Sequence, residues 1–160
     1  MSVAPVIIRE ATIEDIPFLQ EMMWEALLAS PNVLAQVGVE VVRQQEKEYW
    51  EQWPQHPDPA FVALDTSGQK LGVITIQPND TEQPVRSWRI GIGVVARARS
   101  QGVGHRLIEQ SISYAREQGA QYVSLHVDLA KTGAIALYTR MGFIKTSGKE
   151  SLIEMRINLS

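Results

Sequence analysis

The sequence predicts one mixed α/β (α+β) domain, with helices on both faces of a central sheet of about seven strands. Three observations predict it. The apolar spacing is helical before Trp53, becomes alternating after Phe61, and returns to helical spacing after Gly104. Pro54, Pro57 and Pro59 mark the first of those changes. The chain has 160 residues, of which 44% are apolar and 21% charged, enough to enclose one core.

Val6-Ile7-Ile8 is short, apolar and β-branched, and reads as a strand. Thr12 or Asp15 caps the next helix. Pro17 lacks an N–H and belongs in a first turn, which favours the later start. Ile16, Leu19, Met23 and Leu27 give this helix a stripe to bury, and Ser30-Pro31-Asn32 ends it. A second helix, polar on most faces, spans about Glu40 to Trp53, with Trp50 and Trp53 on one side.

Phe61–Leu64 and Leu71–Ile76 form a hairpin around Thr66-Ser67-Gly68, and Asn79–Pro84 is a polar loop. In the next strand Trp88, Ile90, Ile92 and Val94 alternate with Arg89, Gly91 and Gly93, so one face is apolar and the other nearly bare. Gly104–Gln118 is the clearest helix, with Leu107, Ile108, Ile112 and Ala115 on its core face and Gly119 as its stop. Tyr122–Val127 is a strand, and Thr132–Met141 a short helix ending at Gly142. Strands near Phe143–Thr146 and Leu152–Leu159 close the chain around Gly148.

Composition removes several functions. The net charge is −3 and the pI about 5.6. Nucleic-acid binding needs a basic face, so it is not expected. Arg97, Arg99 and Arg106 nevertheless cluster, which suits a small anionic ligand. With no cysteine, disulfides, thiolate metal sites and a cysteine nucleophile are excluded. The histidines His56, His105 and His126 lack metal-ligand spacing, so no metal is expected. No apolar run matches a signal peptide or a membrane span, so the expected location is the cytoplasm, with no membrane partner.

The strand ending at Val94-Val95 runs through Ala96–Gly104 straight into the strongest helix. A strand, a glycine-containing loop and a helix N-terminus in succession present unpaired N–H groups and the positive end of a dipole, which together suit phosphate oxygens. Gly102 and Gly104 permit close approach, and Arg99 and Arg106 can add charge-assisted bonds. Gly104 is followed by His105 and Arg106 rather than Lys-Ser or Lys-Thr, so this is not a P-loop. The loop also lacks the placement of a dinucleotide fold.

These residues resemble a known family. Arg99-Ser100-Gln101-Gly102-Val103-Gly104 is similar to the Gln/Arg-x-x-Gly-x-Gly/Ala signature of the GNAT superfamily of N-acetyltransferases. Ala134–Phe143 resembles its Ala-Ile-x-Leu-Tyr-x-x-x-Gly-Phe segment, and Ile8–Asp15 resembles a common opening. The resemblance implies a mixed, mostly antiparallel sheet and acetyl-CoA as co-substrate, without a metal. It implies that the amides of Arg99, Ser100, Gln101, Gly102, Val103 and Gly104 bind the CoA pyrophosphate. Ile92, Gly93 and Val94 would pair with the pantetheine arm, and the bare face at Gly91 and Gly93 would help a ligand approach. Tyr138 matches the tyrosine that protonates the departing thiolate.

Two positions depart from the family pattern. Ser87-Trp88-Arg89 stands where many members carry a glutamate base, and arginine is no base near neutral pH. His126, out of phase with Val123, Leu125 and Val127, is the next candidate base. Asp80 and Glu82 are weaker ones. Lys131 replaces a cofactor-contacting asparagine, and a lysine there can meet a phosphate. The acceptor side would be built by the first two helices and the Asn79–Pro84 loop. Trp24, Trp50, Trp53 and Trp88 are wall candidates, whereas Glu46, Glu48 and Glu51 read equally well as solvated helix charges.

The expected reaction is acetyl transfer from acetyl-CoA to a primary amine of a small molecule or peptide. The alternative is a non-catalytic acyl-CoA-binding sensor or regulatory domain, which the missing glutamate keeps open. A longer acyl chain or a hydroxyl acceptor is a third, weaker option. The sequence is compatible with a homodimer.

Overall fold

The computed structural model describes residues 5–80, 84–149 and 151–159. Its elements are β1 (Ile7–Glu10), α1 (Ile16–Leu28), α2 (Pro31–Val37), α3 (Val39–Gln52), β2 (Ala60–Leu64), β3 (Lys70–Pro78) and β4 (Ser87–Val94). They continue with α4 (Val103–Glu117), β5 (Tyr122–Asp128), α5 (Thr132–Arg140), β6 (Ile144–Lys149) and β7 (Leu152–Asn158). A single-turn 3-10 helix, Ile13–Asp15, leads into α1, with Pro17 in its first turn as expected.

The seven strands form one sheet in the order β1-β2-β3-β4-β5-β7-β6. Every pairing is antiparallel except β4 with β5. That parallel pairing covers only Ser87–Arg89 against Tyr122–Ser124. Beyond Arg89 the two strands separate, while β4 stays paired with β3 to Val94. The sheet is therefore split through its middle.

Helices cover both faces. On one, α4 sets Val103, Leu107, Ile108, Ile112 and Ala115 against Ile74, Ile76, Ile90 and Leu125, and α5 adds Tyr138 beside Phe143. Each fully buried aliphatic side chain there contributes about 2 kcal/mol. On the other face Leu19 and Met22 of α1 and Trp50 of α3 pack with Trp53 on Val62 and Val73. Gly119, at φ 75°, terminates α4 with its N–H on the Arg116 carbonyl at 3.0 Å.

Two elements depart from the sequence expectation. The segment expected only to end α1 opens a further helix, α2, because Pro31 can occupy a first helical turn as readily as stop the preceding helix. Asp128 of β5 anchors that helix, accepting from Asn32 N at 2.8 Å and Asn32 Nδ2 at 2.6 Å. In α1 the residues packed into the core are Leu19 and Met22, whereas Met23 and Leu27 are half-buried and line a cavity. The stripe is rotated because α1 lies directly on β4. A Cβ built on Gly93 would sit 3.0 Å from Met22 Cβ, and one on Gly91 would sit 3.4 Å from Met23 Sδ. The bare face of β4 thus receives a helix rather than standing open to a ligand, although its backbone still edges the cavities. No helix among the described residues is long and apolar enough to cross a membrane.

Candidate active site

Two cavities adjoin at the split between β4 and β5. The larger, about 980 Å³, runs past Ile92, Gly93 and Val94 to the loop before α4 and across to the start of α5. The smaller, about 320 Å³, lies among α1, α3, β4 and β5. Ile92, Ala26 and Lys131 border both, so the cavities meet beside β4.

The loop has a definite construction. Val95 N–H bonds the Leu71 carbonyl at 2.8 Å, and Ala96–Ala98 forms a 3-10 turn. Ser100 then takes φ 63° and Gly102 φ 84° before α4 begins at Val103. A left-handed conformation is strained for serine by roughly 1–3 kcal/mol, and such strain gathers at ligand sites. Among the described residues, the N–H groups from Ser100 through His105 have no hydrogen-bond partner. Of this run, Ser100, Gly102, Gly104 and His105 border the larger cavity, at the N-terminus of α4.

The larger cavity is strongly cationic. Arg99, Arg106, Lys131 and Arg140 line it against a single carboxylate, Glu25, among the described residues. Burial lowers the pKa of Lys131, and the neighbouring Arg99 charge lowers it further. Two cations held this close in a mildly acidic protein call for an anion between them. Arg99 also donates from Nε to the Val94 carbonyl at 3.2 Å, which ties the loop to the end of β4.

The expected cofactor-site residues are thereby placed. Ile92, Gly93, Val94, Arg99, Ser100, Gly102, Gly104 and Lys131 border the groove. Gln101 and Val103 do not border it. The Gln101 side chain bends back to the Arg97 carbonyl at 3.0 Å, and the Val103 side chain is core. Arg97 borders neither cavity, and its charge acts instead on Asp65. Arg140, which the sequence reading missed, enters because the α5 turn that carries Leu137 to the groove carries Arg140 with it.

Tyr138 and His126 both line the smaller cavity. The Tyr138 ring is 7% exposed and packs 5.9 Å from Phe143. Burial pushes its pKa up to about 12, so the phenol keeps its proton at neutral pH. His126 projects from β5 opposite the apolar set, with Nε2 3.7 Å from Glu154 Oε2 on β7. Burial of Glu154 pushes its pKa up. Hydrogen bonds from Thr146 and Arg156, with the His126 charge, outweigh that and hold it below the usual range.

Glu46 is a carboxylate that the sequence left open between an acidic cluster and solvated helix charges. It is half-buried in the smaller cavity and accepts from Trp50 Nε1 at 3.0 Å. Burial raises its pKa, and the bond from Trp50 offsets part of the rise. Its signal was its spacing, four residues before a buried tryptophan on an otherwise polar helix. Of the four tryptophans only Trp50 borders the cavity. Asp80 borders neither cavity, and Glu82, within the Asn79–Pro84 loop, lies outside the described residues. Among the described residues no three His, Asp or Glu side chains converge as a metal site.

A family model, the acetyltransferase (GNAT) family, matches residues 19–143. The chain belongs to the GNAT family. Its curated relatives include N-alpha-acetyltransferase MAK3 of Arabidopsis thaliana, 31% identical over 93 residues that make up 58% of this chain and 47% of that protein. Another is a mycothiol acetyltransferase of Arthrobacter, 33% identical over 92 residues, 55% of this chain and 28% of that protein. The chain thus spans less than half the length of these relatives. The GNAT fold is matched by the structure of yncA from Salmonella typhimurium with its cofactor acetyl-CoA. That match has a TM-score of 0.74 at 19% identity and covers 97% of this chain and 94% of the other.

Proposed function

We propose that this GNAT member is an N-acetyltransferase, moving the acetyl group of acetyl-CoA to a primary amine of a small molecule or peptide by direct attack. The observation that carries the proposal is the loop of unpartnered N–H groups Ser100–His105, of which Ser100, Gly102, Gly104 and His105 border a cationic groove that meets a second cavity beside β4. A diphosphate fits those donors, and Arg99 and Lys131 supply charge-assisted bonds. The β4 edge from Ile90 to Val94, which β5 leaves unpaired, offers main-chain groups to an extended amide-bearing arm.

The chemistry follows from the two cavities. A neutral amine in the smaller one attacks the thioester carbonyl, and the C–N bond forms as the carbonyl electrons move to oxygen. A main-chain N–H on β4 between Ile92 and Val94 stabilises that oxyanion. Collapse breaks the C–S bond, and the thiolate takes the Tyr138 proton. His126, backed by Glu154, accepts the proton the amine gives up. The buried phenol is fully protonated before the step, which suits a donor.

Arg89 favours a second reading, an acyl-CoA sensor, because it stands on the cavity wall where many GNAT members place a base. Free-thiol release from acetyl-CoA over an amine panel tests the two. Amine-dependent release supports the transferase. Binding of acetyl-CoA with no release on any amine supports the sensor.

A further inference from the structure

Arg89 is half-buried in the smaller cavity, and its recorded partner is neutral, Gln77 Oε1 at 2.8 Å from one terminal nitrogen. Among the described residues no carboxylate lies within 4 Å of it. A guanidinium carries five N–H donors in a flat fork, so most of its capacity here is unspent. Partial burial of an unneutralised cation is unfavourable unless an anion joins it.

The other acids of the cavity do not serve. Asp128 is engaged by Asn32 N and Nδ2, Val33 N and Ala130 N, so its oxygens are taken up in holding α2. Glu46 lies on the α3 wall with one oxygen bound to Trp50. The volume, about 320 Å³, suits a small molecule.

We infer that the acceptor amine carries its own anionic group, a carboxylate or phosphate, and that Arg89, oriented by Gln77, receives that group and sets acceptor specificity. This rests on the acetyltransferase reading of the same cavity. Arg89 precedes Ile92 by three residues of strand, roughly 10 Å between their main-chain positions, and the reach of the arginine side chain takes up part of that distance. An ω-amino acid spans that gap better than an α-amino acid.

The test is calorimetry on the CoA-saturated protein, with matched probes: 4-aminobutyrate and 6-aminohexanoate against butylamine and hexylamine, and 3-aminopropyl phosphate as the second anion. Tighter binding of the acid-bearing amines by about tenfold or more is expected. Arg89→Met should reduce the difference to about twofold, and Arg89→Lys should keep part of it. A melting curve confirms that both variants fold. The better of carboxylate and phosphate identifies the anion. Equal binding of paired probes by the native chain, or an undiminished preference in Arg89→Met, overturns the inference. Thiol release is read separately. Acid-dependent binding without release sinks the transferase reading and leaves Arg89 as an anion-binding residue with no acceptor to select, whereas release without acid preference overturns this inference and leaves the transferase standing.

Discussion

In the proposed reaction Tyr138 is both core and reagent. Its ring packs beside Phe143, and the residue also lines the smaller cavity. Packing needs only the tyrosine's aromatic part and the proposed proton donation only its oxygen, so Tyr138→Phe separates them. The variant should fold normally and bind CoA within about twofold of the native affinity, yet lose roughly 10²-fold or more in thiol release. Unchanged release would remove the acid role. Tyr138 was legible in the sequence through its Leu-Tyr-x-x-x-Gly-Phe context, and His126 through its phase on β5. Glu46 and Arg140 were not, because which side of a helix faces a cavity depends on what packs against it.

At the scale of elements, conformation and contact decide more than residue type. Gly102 sits at φ 84° where donors converge, so Gly102→Glu brings both strain and a negative charge. Calorimetry should show CoA affinity falling by about 100-fold or beyond detection, and near-native affinity would refute the loop as the phosphate site. Gly93 has a different duty. Its added Cβ would meet Met22 Cβ at 3.0 Å and Met22 O at 3.1 Å, and backbone yields little. Gly93→Val should therefore destabilise by about 1–3 kcal/mol in urea unfolding. The alternation that exposed this bare face in the sequence was correct, but alternation cannot say whether a helix or a ligand fills it.

Asp15 joins three elements. It accepts from Arg9 of β1 at 2.7 and 3.0 Å and from Thr12 N at 2.8 Å, and it pairs with Lys70 of β3 at 2.8 Å. The Arg9 hydrogen bonds hold its pKa far below the usual range, against the opposing effect of burial. Because the folded pKa is depressed, the stabilisation is complete above the ordinary carboxylate pKa and fades as pH falls toward the folded one. Arg9 and Lys70 are partly exposed, which weakens the pairs, so Asp15→Asn should cost only about 1–3 kcal/mol at pH 7. Unfolding curves of the two proteins should converge as pH drops below about 4. A constant gap down to pH 2 would show that charge is not what Asp15 contributes.

For the molecule as a whole, the order of the strands and of every helix but α2 was readable from periodicity, because burial imposes it locally. The split sheet was not. Whether β4 and β5 stay paired is decided by what stands between them, and only the short register Ser87–Arg89 against Tyr122–Ser124 holds them together. A protein divided in this way lacks hydrogen bonds across its centre that a ligand can replace. Acetyl-CoA seated along β4 would bridge the loop before α4, the β4 edge and the start of α5. Saturation at 100 times Kd adds about 2.7 kcal/mol to stability. For a domain of this size that should raise Tm by roughly 5–10 °C. The gain should be absent in Gly102→Glu, and amide exchange should slow at Ile92–Val94 and Ser100–His105 in the native chain alone. If Tm rises while those amides exchange as before, the ligand lies elsewhere and the cleft is an incidental gap in the sheet.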